Sequence, residues 1–210
     1  MINLSIKKEQ LAELDLVSFS GKITVLDTDN EAINVFNRLS SERVLGFDTE
    51  TRPSFKKGQT NKVSLLQIST MTESFLFRLN KLTITKEIID FMENPNTIKV
   101  GLSIKDDMAA MGKSYDFMAA NFVELQQMVK DYGILDNSLQ KIYAIIFGEK
   151  ISKNQRLTNW DADLLSEGQR RYAAIDAWSC IKIYNELINN RFKPNDSIYI
   201  HLDEIDSVAI

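Results

Sequence analysis

The chain has 210 residues, of which 44% are hydrophobic and 26% charged, and its formal net charge is −4. This composition is typical of a globular protein with a buried core, and the length suits one α/β domain. The acidic balance gives no global indication of nucleic-acid binding, so any such surface would be a local basic patch. The single cysteine, Cys180, excludes an internal disulfide framework. Together with the absence of any run of about 18 apolar residues, it predicts a cytoplasmic protein without a membrane span.

Short apolar and β-branched runs predict strands along the first part of the chain. These segments are 22–27, which we place at a sheet edge, and 44–50, 63–70, 74–79, 97–103 and 122–125. Only residues 71–73 separate the third segment from the fourth, so these two are expected to form a hairpin.

Helical spacing of apolar residues predicts helices between and after these strands. The first helix follows Thr28, which stands three residues before Glu31 in the spacing of a capping box. The longest helix spans about 166–190 and begins with the same pattern at Ser166 and Gln169. Strands with interleaved helices, followed by a helical end, predict a mixed α/β sheet covered by helices.

Two pairs of acidic residues stand at the ends of predicted strands. Asp48 and Glu50 close the run 44–50, and residues two apart on a strand point to the same side. Asp106 and Asp107 lie at a strand-to-helix junction. Taken singly, each has a structural explanation, because an aspartate at such a place also caps a loop or a helix by accepting N–H groups.

A further acid, Asp176, lies inside the longest predicted helix. It shares a helix face with Tyr172 and Cys180 at i, i+4 spacing, on a stripe that is otherwise small or apolar. A salt bridge to a nearby lysine or arginine would explain it alone. Several carboxylates directed to one site, however, need positive charge to offset their desolvation. Hard divalent cations prefer oxygen ligands, so the acids together predict a pair of Mg²⁺ or Mn²⁺ ions, the apparatus of in-line phosphoryl displacement.

Three stretches of the sequence resemble a known family. The segments FDTET, VGLSIKDD and YAAIDA are similar, in order and spacing, to the three exonuclease motifs of the DEDD 3′→5′ exonuclease superfamily. The resemblance is closest to the ribonuclease D and Werner-type branch and extends over about residues 22–190. It implies a ribonuclease H-like α/β fold with a mixed five-stranded sheet flanked by helices. It also implies an exonuclease domain at 22–192, with an N-terminal extension at 1–21 and a C-terminal tail at 193–210.

The resemblance assigns roles to individual acids. Asp48 and Glu50 match the acids of the first motif, Asp107 the aspartate of the second and Asp176 that of the third. These four residues are the implied ligands of two divalent cations, Mg²⁺ or Mn²⁺. Spacing within the second motif selects Asp107 over its neighbour Asp106, which we interpret as a helix cap or a residue behind the ligands.

The third motif separates two types of this superfamily, with histidine five residues before the aspartate or tyrosine four residues before it. Here Arg171 occupies the first position and Tyr172 the second, so the chain resembles the tyrosine type. The only histidine, His201, lies beyond all three motifs. Tyr172 is then implied to orient the attacking water, because a phenol with a pKa of about 10 is a poor base at neutral pH. Helix spacing alone also fits a core aromatic.

The implied function is that of a metal-dependent 3′→5′ exonuclease, which releases nucleoside 5′-monophosphates by a two-metal-ion mechanism. The implied partner is the 3′ end of DNA or RNA, single-stranded at its terminus. Two alternatives stay open: a catalytically inactive relative that binds nucleic acid or a protein, and a hydrolase of short oligonucleotides. DNA and RNA both stay open as substrates, because contacts with ribose come from loops.

Two basic stretches are candidates for contacts with phosphates. Residues 52–62 hold four basic residues and no acid, and 148–156 form a second basic stretch interrupted by Glu149. A solvated loop explains each single lysine equally well. Phe55 and Trp160 have the chemistry to stack on bases, but we interpret Trp160 as a core residue.

Overall fold

The computed structural model describes residues 3–54, 56, 58 and 60–201, and of His201 only the backbone. The strands in this part of the chain are β1 (Asn3–Leu4), β2 (Lys22–Leu26), β3 (Val44–Thr51), β4 (Val63–Ser69), β5 (Glu73–Phe77), β6 (Ile98–Gly101), β7 (Phe122–Glu124) and β8 (Ile200–His201). The α-helices are α1 (Lys8–Glu13), α2 (Asp29–Leu39), α3 (Lys86–Glu93), α4 (Ile104–Met111), α5 (Leu125–Met128), α6 (Leu139–Phe147) and α7 (Glu167–Ile188).

Six strands form one mixed sheet in the order β2-β5-β4-β3-β6-β7. The pairs β2/β5, β3/β6 and β6/β7 are parallel, and β5/β4 and β4/β3 are antiparallel. The mixed α/β fold is confirmed, as is the hairpin between β4 and β5. The sheet has six strands rather than the expected five, because β7, only three residues long, pairs with β6 at the edge. The segment 122–125 is among the six that the apolar pattern predicts as strands, so the pattern gives the correct number and the resemblance gives one too few.

One face of the sheet packs against α2, α3 and α4 through a cluster of buried apolar side chains. Within this cluster Phe36 of α2 stacks on Phe77 of β5, with ring centroids 4.3 Å apart. The capping box predicted for α2 does not form. The hydroxyl of Thr28 donates to the carboxylate of Glu31 at 2.6 Å instead of accepting a backbone N–H.

The opposite face is covered by α7, which begins with the predicted capping box between Ser166 and Gln169. The helix approaches β3 closely: a Cβ added to Gly46 would lie 1.9 Å from the carbonyl oxygen of Ala177. Only glycine permits such a contact, because it has no side chain. This contact places α7 beside the end of β3, where two of the predicted acids lie.

The first residues of the described chain pack with α6 and α7. β1 pairs antiparallel with β8, and Leu4 and Ile6 are buried in the same cluster as residues of both helices. The Ser5 hydroxyl and the Ile6 N–H both donate to Asp136 at 3.0 Å. Residues 202–210 of the predicted tail lie outside the described residues. None of the described helices combines the length and apolar character that crossing a bilayer requires.

Candidate metal centre and active site

Three carboxylates converge where the end of β3 meets α7. Asp48, Glu50 and Asp176 each offer one oxygen, and these oxygens lie within 4.8 Å of one another. Strand alternation directs the first two to the same side of β3. The close contact between Gly46 and Ala177 brings the third to them. The structure thus unites residues that are more than 120 positions apart in the sequence.

Burial makes this cluster electrostatically unfavourable when its members are ionised. Glu50 and Asp176 are only 9% and 8% exposed. Burial, followed by the charges of neighbouring carboxylates, raises the pKa of Asp48 well above its ordinary value. The same causes raise the pKa of Glu50 to about 9, and burial raises the pKa of Asp176 to about 7. The three raised pKa values show that this site favours a bound cation or proton over unpaired carboxylates.

This donor set fits a divalent cation. Within the described part of the chain, no salt bridge reaches Asp48, Glu50 or Asp176. Their repulsion is therefore not balanced by a lysine or arginine in direct contact. Converging carboxylate oxygens are the ligands that Mg²⁺ and Mn²⁺ prefer, and a cation of this kind would relieve the repulsion.

Asp107 borders this cluster from the first turn of α4. Its Oδ1 accepts a hydrogen bond from the hydroxyl of Thr49, the residue between Asp48 and Glu50. Asp107 is not one of the three residues whose oxygens converge within 4.8 Å, although its charge contributes to the raised pKa of Asp48 and of Glu50. Burial raises the pKa of Asp107 to about 7, and the Thr49 hydroxyl opposes that rise.

The start of α4 is capped by a residue that the sequence did not single out. The carboxylate of Glu124 accepts the N–H groups of Ser103 at 3.0 Å and Ile104 at 2.8 Å. Ser103 adopts a left-handed backbone with φ 61°, a conformation that costs a non-glycine residue about 1–3 kcal/mol. Asp106, which we interpreted as a cap or a residue behind the ligands, is exposed. Glu124 therefore fixes the turn that presents Asp107.

Tyr172 lies one helical turn before Asp176, and both line one cleft with Cys180. Tyr172 is 9% exposed and packs on Trp160, with ring centroids 6.0 Å apart. Trp160 is fully buried, which confirms its interpretation as a core residue. Burial, followed by the charges of Asp176 and Glu50, raises the pKa of the Tyr172 phenol above its ordinary value. The phenol is therefore a hydrogen-bond donor at neutral pH rather than a base.

The carboxylates form one wall of an open cleft of about 420 Å³. Polar side chains from the turn before α4, from α5 and from the start of α6 also line it, namely Ser103, Gln126, Asn137, Ser138 and Gln140. The side-chain amide of Gln126 donates to the Ser103 hydroxyl at 3.0 Å and to the Asn137 carbonyl at 2.8 Å. These two hydrogen bonds join the turn before α4 to the segment before α6, so they hold this polar part of the cleft lining together.

The second basic stretch reaches this cleft. Lys153 and Arg156 both line it. The positive charge of Arg156 opposes the rise in the pKa of Glu50, and that of Lys153 opposes the rise in the pKa of Asp176. Each basic side chain therefore acts across the cleft on a different carboxylate.

The first basic stretch contributes no described residue to the cleft lining. Arg52 and Lys56 are exposed and lie outside the set of residues that line it. Lys57 of the same stretch lies outside the described residues, as does Phe55, the other aromatic residue considered for stacking on bases.

Comparison with known proteins finds similarity to 3′-5′ exonucleases. The model of the 3′-5′ exonuclease family matches residues 23–190. The chain is 28% identical over 158 residues to the mouse (Mus musculus) bifunctional 3′-5′ exonuclease/ATP-dependent helicase WRN, a match that covers 72% of this chain and 11% of the mouse protein. The chain thus spans only a small part of the length of this relative.

Two solved structures share the fold. The Aedes aegypti Nibbler EXO domain superposes with a TM-score of 0.75 at 18% identity, covering 86% of this chain and 96% of that one. Trypanosoma brucei RNase D in complex with RNA U12 superposes with a TM-score of 0.72 at 18% identity, covering 82% of this chain and 64% of that one.

Proposed function

Since the chain belongs to the 3′-5′ exonuclease family, we propose that it is a metal-dependent exonuclease that removes nucleotides from the 3′ end of DNA or RNA. The observation that carries this proposal is the convergence of Asp48, Glu50 and Asp176, whose oxygens lie within 4.8 Å of one another in a buried site. A catalytically inactive relative would have no electrostatic reason to keep these unbalanced carboxylates. The proposed catalytic domain comprises residues 22–192.

The proposed cofactors are two divalent cations, Mg²⁺ or Mn²⁺. Asp48, Glu50 and Asp176 would hold the first, and Asp48 with Asp107 would hold the second. Such ions lower the pKa of a coordinated water and stabilise negative charge on a phosphate group. The chain itself supplies a fixed arrangement of oxygens and excludes water from behind them through the packing of α7 on β3.

Tyr172 is proposed to orient the attacking water by donating a hydrogen bond. Its raised pKa keeps the phenolic proton in place at neutral pH, and its packing against Trp160 fixes the ring. A donor held at one position contributes through geometry rather than through proton abstraction. Replacement by phenylalanine would remove this donor and retain the ring.

The proposed substrate lies in the cleft between the carboxylates and the basic side chains. Lys153 and Arg156 are positioned to contact the phosphates of the terminal nucleotides, which suits a single-stranded 3′ terminus. The RNA complex of the Trypanosoma brucei neighbour supports a nucleic-acid ligand for this fold. The single cysteine, Cys180, is free and buried, which is compatible with the proposed cytoplasmic location.

The test is cleavage of labelled oligonucleotides. DNA and RNA strands labelled at the 3′ or the 5′ end are incubated with the protein and Mg²⁺, Mn²⁺ or EDTA, and the products are separated by size. We expect 5′-labelled strands to shorten stepwise, 3′-labelled strands to release a mononucleotide at once, and EDTA to stop both. Activity that survives EDTA, or trimming from the 5′ end, would contradict the proposal.

A matched pair of variants tests the assignment in α4. Asp107→Asn removes the charge that borders the cluster, whereas Asp106→Asn makes the same change at the adjacent exposed position. We expect Asp107→Asn to fold normally and to lose activity by about 10²-fold or more, as when a group that stabilises transition-state charge is removed. Asp106→Asn should retain nearly full activity. Equal effects of the two changes would remove Asp107 from the mechanism.

A further inference from the structure

A buried amide without a hydrogen-bond partner lies beside the carboxylate cluster. Gln67 of β4 is 0% exposed, and among the described residues neither its Nε2 nor its Oε1 has a partner. In the ladder between β3 and β4, Gln67 stands directly opposite Asp48. Directly opposite residues point to the same face, with Cβ atoms about 4.5–5.5 Å apart. The side chain of Gln67 is therefore the immediate neighbour of Asp48.

Apolar residues are the other neighbours of Gln67 in the sheet, apart from Ser69, whose hydroxyl donates to that of Ser74 at 2.9 Å. Leu65, two residues earlier on the same face of β4, belongs to the same buried cluster as Tyr172 and Ala173 of α7. On the other side Gln67 stands opposite Leu76 of β5. An unpaired amide in such a place costs about 1–3 kcal/mol, and an apolar side chain of similar size would avoid this cost. Packing therefore gives no reason for glutamine at this position.

Asp48 is the one partner that this position offers by register. The backbone N–H of Thr49 is the hydrogen-bond donor that acts on Asp48 in the described residues, and it leaves carboxylate lone pairs free. The terminal torsion of a glutamine side chain is broad, which allows the amide to turn without movement of the strand. One contact would then satisfy an acceptor on β3 and a donor on β4.

We infer that Gln67 is a positioning residue, whose side-chain amide donates to the Asp48 carboxylate and holds it in the orientation that binds a divalent cation. This inference rests on the proposed function, since it concerns the same site. Groups that orient a ligand through a hydrogen bond typically change metal affinity by about 10–100-fold when they are removed. The amide of Gln67 thus lowers the stability of the core and, in return, fixes the orientation of the Asp48 carboxylate.

The experiment measures cation binding in the absence of nucleic acid. Gln67→Leu deletes the amide and keeps a similar volume, and Ser179→Ala serves as the matched control. Ser179 is likewise 0% exposed, and its hydroxyl has no partner among the described residues. Mn²⁺ affinity is measured by isothermal titration calorimetry, and the melting temperature is measured in EDTA.

We expect Gln67→Leu to melt at or above the wild-type temperature in EDTA and to bind Mn²⁺ about 10–100-fold more weakly. Ser179→Ala should also melt at or above the wild-type temperature but bind Mn²⁺ with unchanged affinity. Wild-type affinity in Gln67→Leu would overturn the inference. So would weaker binding accompanied by a lower melting temperature, because that pair of changes indicates damaged packing.

Two further outcomes separate this inference from the proposed function. If the wild-type protein binds no Mn²⁺, the proposed function fails and the inference fails with it. If the wild-type protein binds Mn²⁺ and Gln67→Leu binds it equally well, only the inference fails. Should Gln67→Leu not fold, Gln67→Met, an unbranched side chain of similar length, is judged by the same criteria.

Discussion

The hydroxyl of Thr49 donates a hydrogen bond to the carboxylate of Asp107, joining the segment that carries Asp48 and Glu50 to the first turn of α4. Asp48 and Glu50 face α7, whereas Thr49 points to the other side of β3, as strand alternation requires. The end of β3 thus directs Asp48 and Glu50 to one face of the sheet. From the other face, Thr49 holds the carboxylate of Asp107.

Removal of the Thr49 hydroxyl is expected to lower activity at limiting Mn²⁺ without unfolding the protein. Thr49→Val keeps the shape of the side chain and loses the donor, so Asp107 loses its oriented partner. We expect a fall of about 10–100-fold in activity at limiting Mn²⁺. Initial rates measured against Mn²⁺ concentration check this. Thr49→Ser, which keeps a hydroxyl, should recover most of the loss. Identical behaviour of the valine and serine variants would show that the hydrogen bond has no such role.

A side chain at Gly46 is expected to separate Asp176 from the two acids of β3 in the proposed metal site. A Cβ there would lie 1.9 Å from the Ala177 carbonyl, so Gly46→Ala forces α7 away from β3 and moves Asp176 from Asp48. We expect a destabilisation of about 1–3 kcal/mol, measured by urea unfolding, and a loss of exonuclease activity in the protein that remains folded.

The matched control for Gly46→Ala lies in the first turn of α7. Gly168 is exposed, and a Cβ there would meet only the Gln155 side chain, at 3.2 Å. Alanine has the higher helix propensity, so Gly168→Ala should unfold at an equal or higher urea concentration and keep its activity. If Gly46→Ala behaved in the same way, the close packing of α7 on β3 would not be needed for the site.

In EDTA, the protein is expected to lose stability as pH rises. Folding raises the pKa of Glu50 from 4.5 to about 9 and that of Asp176 from 3.8 to about 7. The folded state therefore binds more protons than the unfolded state between these limits, so the stabilisation present below about pH 4 is lost towards pH 9. Melting temperatures measured from pH 5 to 9 should fall in EDTA and fall less with Mg²⁺ present.

The variant Glu50→Gln distinguishes this cluster from other titrating groups. Glutamine has no charge at any of these pH values. The melting temperature of the variant in EDTA should therefore depend less steeply on pH than that of the wild-type protein. A wild-type melting temperature that rises between pH 5 and 9 in EDTA would contradict the predicted sign.

Lys153 and Arg156 are expected to contribute affinity for substrate rather than chemistry. Replacing both by alanine removes the positive charges that line the cleft, so KM for an oligonucleotide should rise more than kcat falls. The dependence of binding on salt should become shallower by about one unit of slope per lost phosphate contact. Fluorescence anisotropy at several salt concentrations measures this. Lys86→Ala, at an exposed position of α3 that does not line the cleft, should leave both quantities unchanged. An unaltered salt slope in the double variant would exclude these residues from the binding surface.

The sequence by itself determined the six strands of the main sheet and the longest helix, because their apolar pattern and the capping box at Ser166 are local properties. It also determined that Asp48 and Glu50 point to the same side, since residues two apart on any strand do so. It did not predict the short pair β1 and β8. The three motifs indicated the family over nearly the same range that the family model matches, 23–190.

The tertiary structure decided what depends on contacts between distant segments. The meeting of Asp176 with Asp48 follows from the approach of α7 to Gly46, a distance that no local pattern encodes. The cap of α4 by Glu124 and the position of Gln67 opposite Asp48 depend on strand register. Register arises from the pairing of whole strands, so these residues acquire their roles only when the sheet has formed.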